Sequence, residues 1–505
     1  MNGIVVLDIG TSSLRATLYD ADGRPFPSDQ RLNPPVYYPD GRVEQDPAAW
    51  RTLLPSVLRS AADRAGRAHI AVAAISVTAQ RSSVIPVDRT GRPLRPAIMW
   101  QDLRTASLAA ALSPNNKLVY GKTGLTISPV FSAIKMLWIR RNEPEILART
   151  HKMLGIHDYA LHLLTGRYVT DHSLASRTNL LDLDGRTWDE DLAALFEVDM
   201  AMLCELAPPG SIVGGLSADM ARDAGLAAGT PVVSAGGDQQ CAALGLGLFS
   251  ADRAVANTGT GSYMIGHSAR PMIDHGMRVS CTVSALPGAY TIEANLPASG
   301  TIYRWFKENL WNGDLEGTDP FEAINSEARD SGPGANGLLL IPHFNGSGTP
   351  SWDTEATGII HGLSIATRRG DIARAVLEGI ALELKGGLVL LEELCGPIGS
   401  IRVSGGMTKS PLFNQIQADV YGRPVIHYRG GEATSLGAWM AGAVATGLAA
   451  DYPEAFERAS ADSPRDLFEP DQANRALYER LRSQALAIYT ALASPQIRRL
   501  FAESN

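Results

Sequence analysis

The sequence predicts an α/β protein of two lobes built on one plan. Strand-like and helix-like runs mix along all 505 residues, which is the pattern of the α/β class. One type of hairpin occurs twice, at Ile4–Tyr19 and at Arg253–Gly266, and such self-similarity points to a repeated architecture. At roughly 100–200 residues per domain, the length suggests about two to four domains.

The elements follow in order. Ile4-Val5-Val6-Leu7-Asp8-Ile9-Gly10 is a buried-strand pattern ending in Asp and Gly, and Leu14–Tyr19 is its partner. Thr11-Ser12-Ser13 forms the tip, and Asp20-Ala21-Asp22-Gly23 is the next turn. Trp50–Ala65 has helical spacing, Ile70–Val77 and Val84–Val87 read as strands, and Phe131–Arg141 and His157–Leu164 read as helices. The second hairpin comprises Arg253–Asn257, the tip Thr258–Ser262, and Tyr263–Gly266. Farther on, Asp371 is suited to an N-cap or first-turn position. Ile372, Val376, Ile380 and Leu384 then share one helical face, up to Leu394 and the stop Cys395-Gly396-Pro397. The Gly386-Gly387 pair is a point where this helix can bend or break. The strand Ile401–Ser404, the tip Gly405-Gly406-Met407 and a helix over Ser410–Tyr421 come next, and Asp471 is placed to cap a terminal helix reaching Ala493. The division falls near Gly245–Ser250, giving lobes at 1–247 and 248–505. No Pro/Ser-rich linker marks it, so the lobes are expected to pack closely.

Composition narrows the function. With 45% hydrophobic residues the chain can bury large cores. Lys+Arg 45 against Asp+Glu 53 gives a net charge of −8, which argues against nucleic acid as the main partner. It leaves room for small anions in a locally basic pocket. Cys204, Cys241, Cys281 and Cys395 form no C-x-x-C pair, so neither a zinc ribbon nor a disulfide scaffold is expected. The first residues lack a signal-peptide pattern. No apolar run approaches the ~18 residues of a membrane span. A cytoplasmic protein without membrane partners is the expectation.

Several motifs can carry chemistry. At Asp8-Ile9-Gly10-Thr11-Ser12-Ser13, Gly lets a ligand approach the backbone, while amides and hydroxyls can donate to phosphate oxygens. Asp8 can hold a Mg²⁺ through water. An ordinary hairpin turn is the plain alternative. The tip Asn257-Thr258-Gly259-Thr260-Gly261-Ser262 offers similar chemistry, and two such tips can clamp a triphosphate between lobes. Gly405-Gly406 before a helix can lie against a nucleotide, with the helix N-terminus near phosphate. In Gly236-Gly237-Asp238-Gln239-Gln240, an Asp between strand and helix is placed as a general base, although a helix-capping carboxylate is the commoner role. Gln80-Arg81-Ser82 and Trp100-Gln101-Asp102 suit a polyhydroxylated ligand. The bland reading has Trp100 in the core, with Arg81 and Asp102 as a surface pair. Gly121-Lys122-Thr123 looks like the end of a P-loop, but Asn116 stands where Gly is needed, so no Walker A site is expected.

Taken together, the motifs resemble those of the FGGY carbohydrate kinases, within the actin/hexokinase/Hsp70-like ATPase superfamily. The resemblance runs from Ile4 to about Gly447. It rests on Asp8-x-Gly10-Thr11-Ser12-Ser13-x-Arg15, Gly237-Asp238-Gln239-Gln240, Gly259-Thr260-Gly261, Ser347-Gly348-Thr349-Pro350-Ser351-Trp352-Asp353 and the signature from Gly405 to Val420. It implies two ribonuclease-H-like (actin-like ATPase) domains flanking a deep cleft, with ATP mostly on the C-terminal lobe. It implies Asp238 as catalytic base, Thr11, Ser12, Ser13 and Arg15 facing the β- and γ-phosphates, and Gly259 and Thr260 as a second phosphate loop. Gly300, Arg304, Gly406 and Ser410 would line the nucleotide, and Asp8 would sit near Mg²⁺. Gln80, Arg81, Trp100, Asp238 and Gln239 would bind the sugar or polyol.

The acceptor is less directly written. Gln80-Arg81, Trp100-Gln101 and Pro129-x-Phe131-Ser132 are similar to glycerol kinases, but Ser82 and Val130 stand where that pattern has Glu and Tyr. Xylulokinases typically carry Met-His where Arg81-Ser82 falls. Smaller Ser and Val enlarge the pocket, so the expected acceptor is a pentulose such as xylulose, or a tetritol or pentitol, with glycerol as the alternative. An actin- or Hsp70-like ATPase is a remoter reading, and the Asp238-Gln239 motif with the Arg81/Trp100 cluster speaks against it. So do Asp238, Thr11 and Thr260 against a catalytically dead regulator. Nothing specific in the sequence signals an oligomer, although a homodimer is compatible with it.

Overall fold

Ile4, Val5, Val6 and Leu7 are all fully buried, the mark of a strand covered on both faces. In the computed structural model, which describes residues 1–311, 319–430 and 432–502, they lie in β1 (Asn2–Ile9). The rest of its sheet is β2 (Ser13–Tyr19), β3 (Asp29–Leu32), β4 (Ala71–Ala79), β5 (Ser211–Gly215) and β6 (Pro231–Gly237). The spatial order is β5-β6-β4-β1-β2-β3. β1, β4 and β6 are parallel, and the remaining pairings are antiparallel.

Alternation along β1 decides which helices cover it. Val5, Leu7 and Ile9 join a cluster with α1 (Ala48–Arg67), through Trp50, Leu54 and Leu58. α2 (Ser132–Asn142) packs away from this sheet, in a separate apolar cluster. α3 (Ile156–Thr165) adds Ile156, Tyr159 and Leu161 to the Leu7 side. Ile4 and Val6 point the other way, towards Cys241 and Leu244 of α4 (Asp238–Gly245).

The second sheet repeats the plan. Its strands are β7 (Arg253–Thr258), β8 (Ser262–Ser268), β9 (Ser280–Val283), β10 (Tyr290–Leu296), β11 (Ser400–Ser404), β12 (Val425–Tyr428) and β13 (Arg465–Phe468). Their order is β9-β10-β8-β7-β11-β12-β13. As in the first sheet, an antiparallel hairpin leads into two parallel neighbours and an antiparallel edge. This is the two-domain, actin-like ATPase fold. Its helices include α5 (Gly300–Leu310), α6 (Arg369–Cys395), α7 (Pro411–Tyr421), α8 (Ala433–Ala445) and α9 (Gln472–Leu492).

Two features depart from the sequence reading. The glycine pair neither bends nor breaks α6, which runs unbroken for 27 residues. A Cβ on Gly387 would stand 2.7 Å from the Ala294 Cβ, so this glycine lets the helix lie close on β10. Packing along the buried face outweighs a helix-propensity cost of about 1 kcal/mol per glycine. Second, α8 leaves its own half of the chain. Ala438, Trp439, Met440 and Ala441 join Ile4, Val6 and Val233 in one apolar cluster, so a late helix seals the back of the first sheet. Asp371 is a first-turn acid, accepting from the Arg368 amide at 2.8 Å. Asp471 caps α9 through the Ala473 amide at 2.9 Å.

Candidate active site

The parallel strands of the first sheet end level with one another. Asp8 pairs with Thr78, and Thr78 with Gly236. The segments leaving these strands, Gly10–Ser12, Gln80–Ser82 and Asp238, therefore emerge along one edge. In the second sheet Asn257 pairs with Ser404, so the Gly259–Gly261 and Gly405–Ser410 loops emerge together. Ligands of open α/β sheets collect at the carboxyl ends of such strands.

Asp238 opens α4, directly after extended Gly237, where the helix dipole favours an anion. Its Oδ1 accepts from the Gln239 amide at 2.7 Å. About a quarter of its side chain, 27%, remains exposed. Burial raises its pKa above the usual carboxylate value, against the pull of Arg81. Arg81 Nε lies 3.6 Å from Asp238 Oδ1, and Arg81 Nη1 donates to Gln240 Oε1 at 3.2 Å. Gln239 Oε1 accepts from Asn257 Nδ2 at 3.1 Å, which ties the start of α4 to the strand leading into the second glycine tip.

The first tip is half open: Ser12 is exposed, while Thr11 and Ser13 are partly buried. Trp100 Nε1 donates to Thr11 Oγ1 at 3.2 Å, and at 36% exposure Trp100 is not a core residue. Gln80 is buried and donates to the Gly10 carbonyl at 3.3 Å. Arg81 and Asp102 are not a surface pair. Asp102 is fully buried and pairs with Arg104 at 2.8 Å, whereas Arg81 lies beside Asp238 and Glu293. Arg15 is held by Asp8 at 2.9 Å and also pairs with Glu432. Lys122 pairs with Asp189 and Asp191 at 2.6 and 2.8 Å.

The second tip packs against α5. The Gly300 amide donates to the Gly259 carbonyl at 2.9 Å. Gly259, Thr260, Gly300, Arg304, Gly406 and Ser410 line one cavity of about 790 Å³, together with Tyr303, Phe321 and Asn325. That volume is within the range of small-molecule sites. The residues come from four separate chain segments, and the cavity has both aromatic and cationic walls.

Among the described residues no group of three or more His, Cys, Asp or Glu is arranged to hold a metal ion. Asp8 is buried beside Arg15 and feels the Asp238 carboxylate, which together with burial raises its pKa. Asp8, near the end of β1, is a single carboxylate, which fits a Mg²⁺ carried in on phosphates and not one caged by protein.

Sequence reasoning missed three residues here. Glu293 of β10 is buried and accepts from Arg81 Nη1 at 3.1 Å. Arg177, also buried, lies 3.7 Å from Glu293 and over the Phe131 ring at 4.9 Å. Lys135 Nζ donates to the Pro129 carbonyl at 2.7 Å and to those of Val130 and Phe131, fixing the loop that carries Phe131. Burial pushes its pKa down to about 7. A lone charge among apolar neighbours, as in Ala133-Ile134-Lys135-Met136-Leu137, was the available signal.

Two lobes of this fold, with paired glycine tips beside the carboxylates of Asp8 and Asp238, form an arrangement that suits a phosphotransferase with an alcohol group as acceptor. The N-terminal domain model of the FGGY family of carbohydrate kinases matches residues 3–245, and the C-terminal domain model matches residues 254–446. The chain belongs to the FGGY family of carbohydrate kinases. It is 34% identical to a glycerol kinase of Alkalilimnicola ehrlichii, over 92% of this chain and 94% of that relative. Among solved structures, a xylulose kinase from Rhodospirillum rubrum superposes with a TM-score of 0.90 at 27% identity, covering 97% of this chain and 99% of that one. The Plasmodium falciparum glycerol kinase with ADP gives 0.88 at 26% identity, covering 97% and 98%.

Proposed function

We propose that the chain transfers the γ-phosphoryl group of ATP to a hydroxyl of a small polyol or ketose, with Asp238 as the general base. The observation that carries this reading is the position of Asp238-Gln239, with Arg81 3.6 Å from the first residue and Asn257 3.1 Å from the second. The dipeptide thus joins the acceptor-side cluster to the second glycine tip.

Phosphoryl transfer needs positioning and charge stabilisation more than covalent chemistry. The cavity at Gly259, Thr260, Gly300, Arg304, Gly406 and Ser410 receives the nucleotide, with Tyr303 and Phe321 offering faces for the base. Thr11, Ser12 and Ser13 present amides and hydroxyls to the terminal phosphates. Arg15 joins them by exchanging Glu432 for phosphate oxygens. Gln80 braces the first tip, and Arg81, Trp100 and Gln239 orient the acceptor. Asp238 takes the hydroxyl proton as the new P–O bond forms, and its raised pKa suits that task. Asp8 would hold a Mg²⁺ that supplies charge neutralisation on the phosphates.

The acceptor is larger than glycerol, a pentulose such as xylulose or a tetritol or pentitol. Supporting this, Ser82 turns its hydroxyl to the Arg177 carbonyl at 3.2 Å and leaves no carboxylate at that point, while Val130 offers no hydroxyl. Glycerol is the second reading, favoured by the names of the curated relatives at 34% identity. Asp238→Asn tests the mechanism. Turnover should fall by about 10²–10⁴-fold, the usual worth of a general base, with ATP affinity unchanged by calorimetry. Near-normal turnover would remove Asp238 from the role.

A further inference from the structure

A small polar cavity of about 30 Å³ adjoins the acceptor cluster. Gln80, Ser82, Ser132, His157, Asp158 and Thr178 are among the residues that line it. Gln80 and Ser82 flank Arg81, which lies beside Asp238, and Ser132 directly follows the Pro129–Phe131 loop. The cavity thus reaches both segments that carry the small residues Ser82 and Val130, on which the proposed preference for a larger acceptor rests. Ser82 itself holds a left-handed backbone, φ 68°, which is uncommon for a residue with a side chain.

Three of the lining side chains, each more than nine-tenths buried, carry a polar atom with no hydrogen-bond partner among the described residues: Gln80 Oε1, His157 Nδ1 and Asp158 Oδ1. All three are acceptors. Gln80 already gives its Nε2 to the Gly10 carbonyl at 3.3 Å. His157 Nε2 lies 3.2 Å from the Val77 carbonyl, which can only accept, so Nε2 carries the proton and Nδ1 of the neutral ring accepts. The other oxygen of Asp158 caps the Gly155 amide at 2.7 Å. His157 Nδ1 and Asp158 Oδ1 stand 3.8 Å apart, too far for a direct hydrogen bond. Both open α3, whose Ile156, Tyr159 and Leu161 are fixed in the core, so neither is free to turn to the other. Buried acceptors without a donor are costly, and a cavity lined by three of them suits a guest that donates.

We propose that this cavity is the distal subsite of the acceptor: the hydroxymethyl group farthest from the reacting hydroxyl enters past Ser82, and its O–H donates to Asp158 Oδ1 beside His157 Nδ1. This rests on the reading of the acceptor as larger than glycerol. A cavity of about 30 Å³ holds roughly a water or two, hence one CH₂OH end, and excludes a ring or a phosphate. Met136 and Leu174 complete its wall and give the carbon an apolar contact. A three-carbon acceptor has no carbon to spare for such a subsite, whereas a five-carbon chain does. His157 and Asp158 thereby select for acceptor length, and they do so by hydrogen bonding as well as by space.

The test compares kcat/KM for the best five-carbon acceptor with that for glycerol, in the unmodified protein and in Asp158→Asn. Asparagine keeps an oxygen for the Gly155 amide and places an NH₂ beside His157 Nδ1, so the pair closes on itself and the guest loses its acceptor. The ratio of five-carbon acceptor to glycerol should fall about tenfold or more, the scale of one lost hydrogen bond to a carboxylate. A capping role alone would lower both acceptors together. A ratio that does not fall overturns the proposal and leaves the cavity to buried water. If Asp158→Asn does not fold, the unmodified protein decides. An analogue of the same acceptor lacking the hydroxyl at its unphosphorylated end should lose about 10–100-fold in kcat/KM, because a buried acceptor is left unpaired. A loss below about threefold overturns the proposal. The reading of the acceptor fails separately, if glycerol gives the highest kcat/KM in the unmodified protein, and the ratio in Asp158→Asn still decides the subsite.

Discussion

Gly300 stands so close to Gly259 that a Cβ on it would lie 2.4 Å from the Gly259 carbonyl oxygen. Contacts under 3.0 Å between such atoms do not persist, and here the obstacle is backbone. The helix α5 can therefore dock on the second tip only with glycine at this point. Gly300→Ala should push the Gly259–Gly261 loop out of the cavity. The expected result is a rise in the KM for ATP of about tenfold or more, with the KM for the acceptor much less affected, read by steady-state kinetics. Equal rises for both substrates would mean that α5 moves the whole cleft.

With Asp238 as the proposed base, its titration should set the acid side of the pH profile. A base works only when deprotonated, and burial raises the pKa of Asp238 above the ordinary carboxylate value. Activity should therefore climb as pH rises through a midpoint above that ordinary value, and be lost below it. A kcat/KM profile flat down to pH 4 would contradict this.

The strand ends and tips were legible in the sequence because they depend on local chemistry. Apolar runs set β1, β4 and β7, and small or hydroxylic residues mark their ends. From its local sequence Asp238 was legible as a candidate only, since any helix start tolerates a carboxylate; the family resemblance implied it as base, and Arg81 and Asn257 beside it support that proposed role. Glu293 was hidden. Arg81 and Glu293 are separated by 212 positions, and within Tyr290–Leu296 a glutamate reads as the outward residue of a strand. Only the meeting of two sheets turns it inward. Helix α8 was hidden for a similar reason: an Ala/Gly-rich run must be buried, but the sequence does not say against which lobe. The glycines of α6 misled because propensity was weighed without the packing that overrides it.

Lys135 should matter to the acceptor and not to ATP. It fixes three successive carbonyls of the Pro129–Phe131 loop, and Phe131 supports Arg177. Lys135→Met keeps the volume of the stem but removes those bonds. The acceptor KM should rise about tenfold while ATP affinity is retained, measured by kinetics and calorimetry. An unchanged acceptor KM would show that the loop holds its shape unaided.

The proposed preference for an acceptor larger than glycerol is testable by reversing the two substitutions. Ser82→Glu combined with Val130→Tyr supplies the two side chains of the glycerol-binding pattern. The kcat/KM for glycerol relative to a pentulose should rise by about 10–100-fold, the scale on which lost or gained hydrogen bonds and packing discriminate substrates. A ratio that does not move would assign selectivity to other residues.

The most direct measurement is ADP release by the unmodified protein with Mg-ATP and single acceptors: glycerol, erythritol, ribitol, D-xylulose, L-xylulose, D-ribulose, gluconate and none. The account predicts release that depends on acceptor, with kcat/KM highest for a pentulose or a four- or five-carbon polyol. Equal release with and without every acceptor would contradict phosphoryl transfer to an alcohol in this group, and a maximum at glycerol would contradict the enlarged pocket.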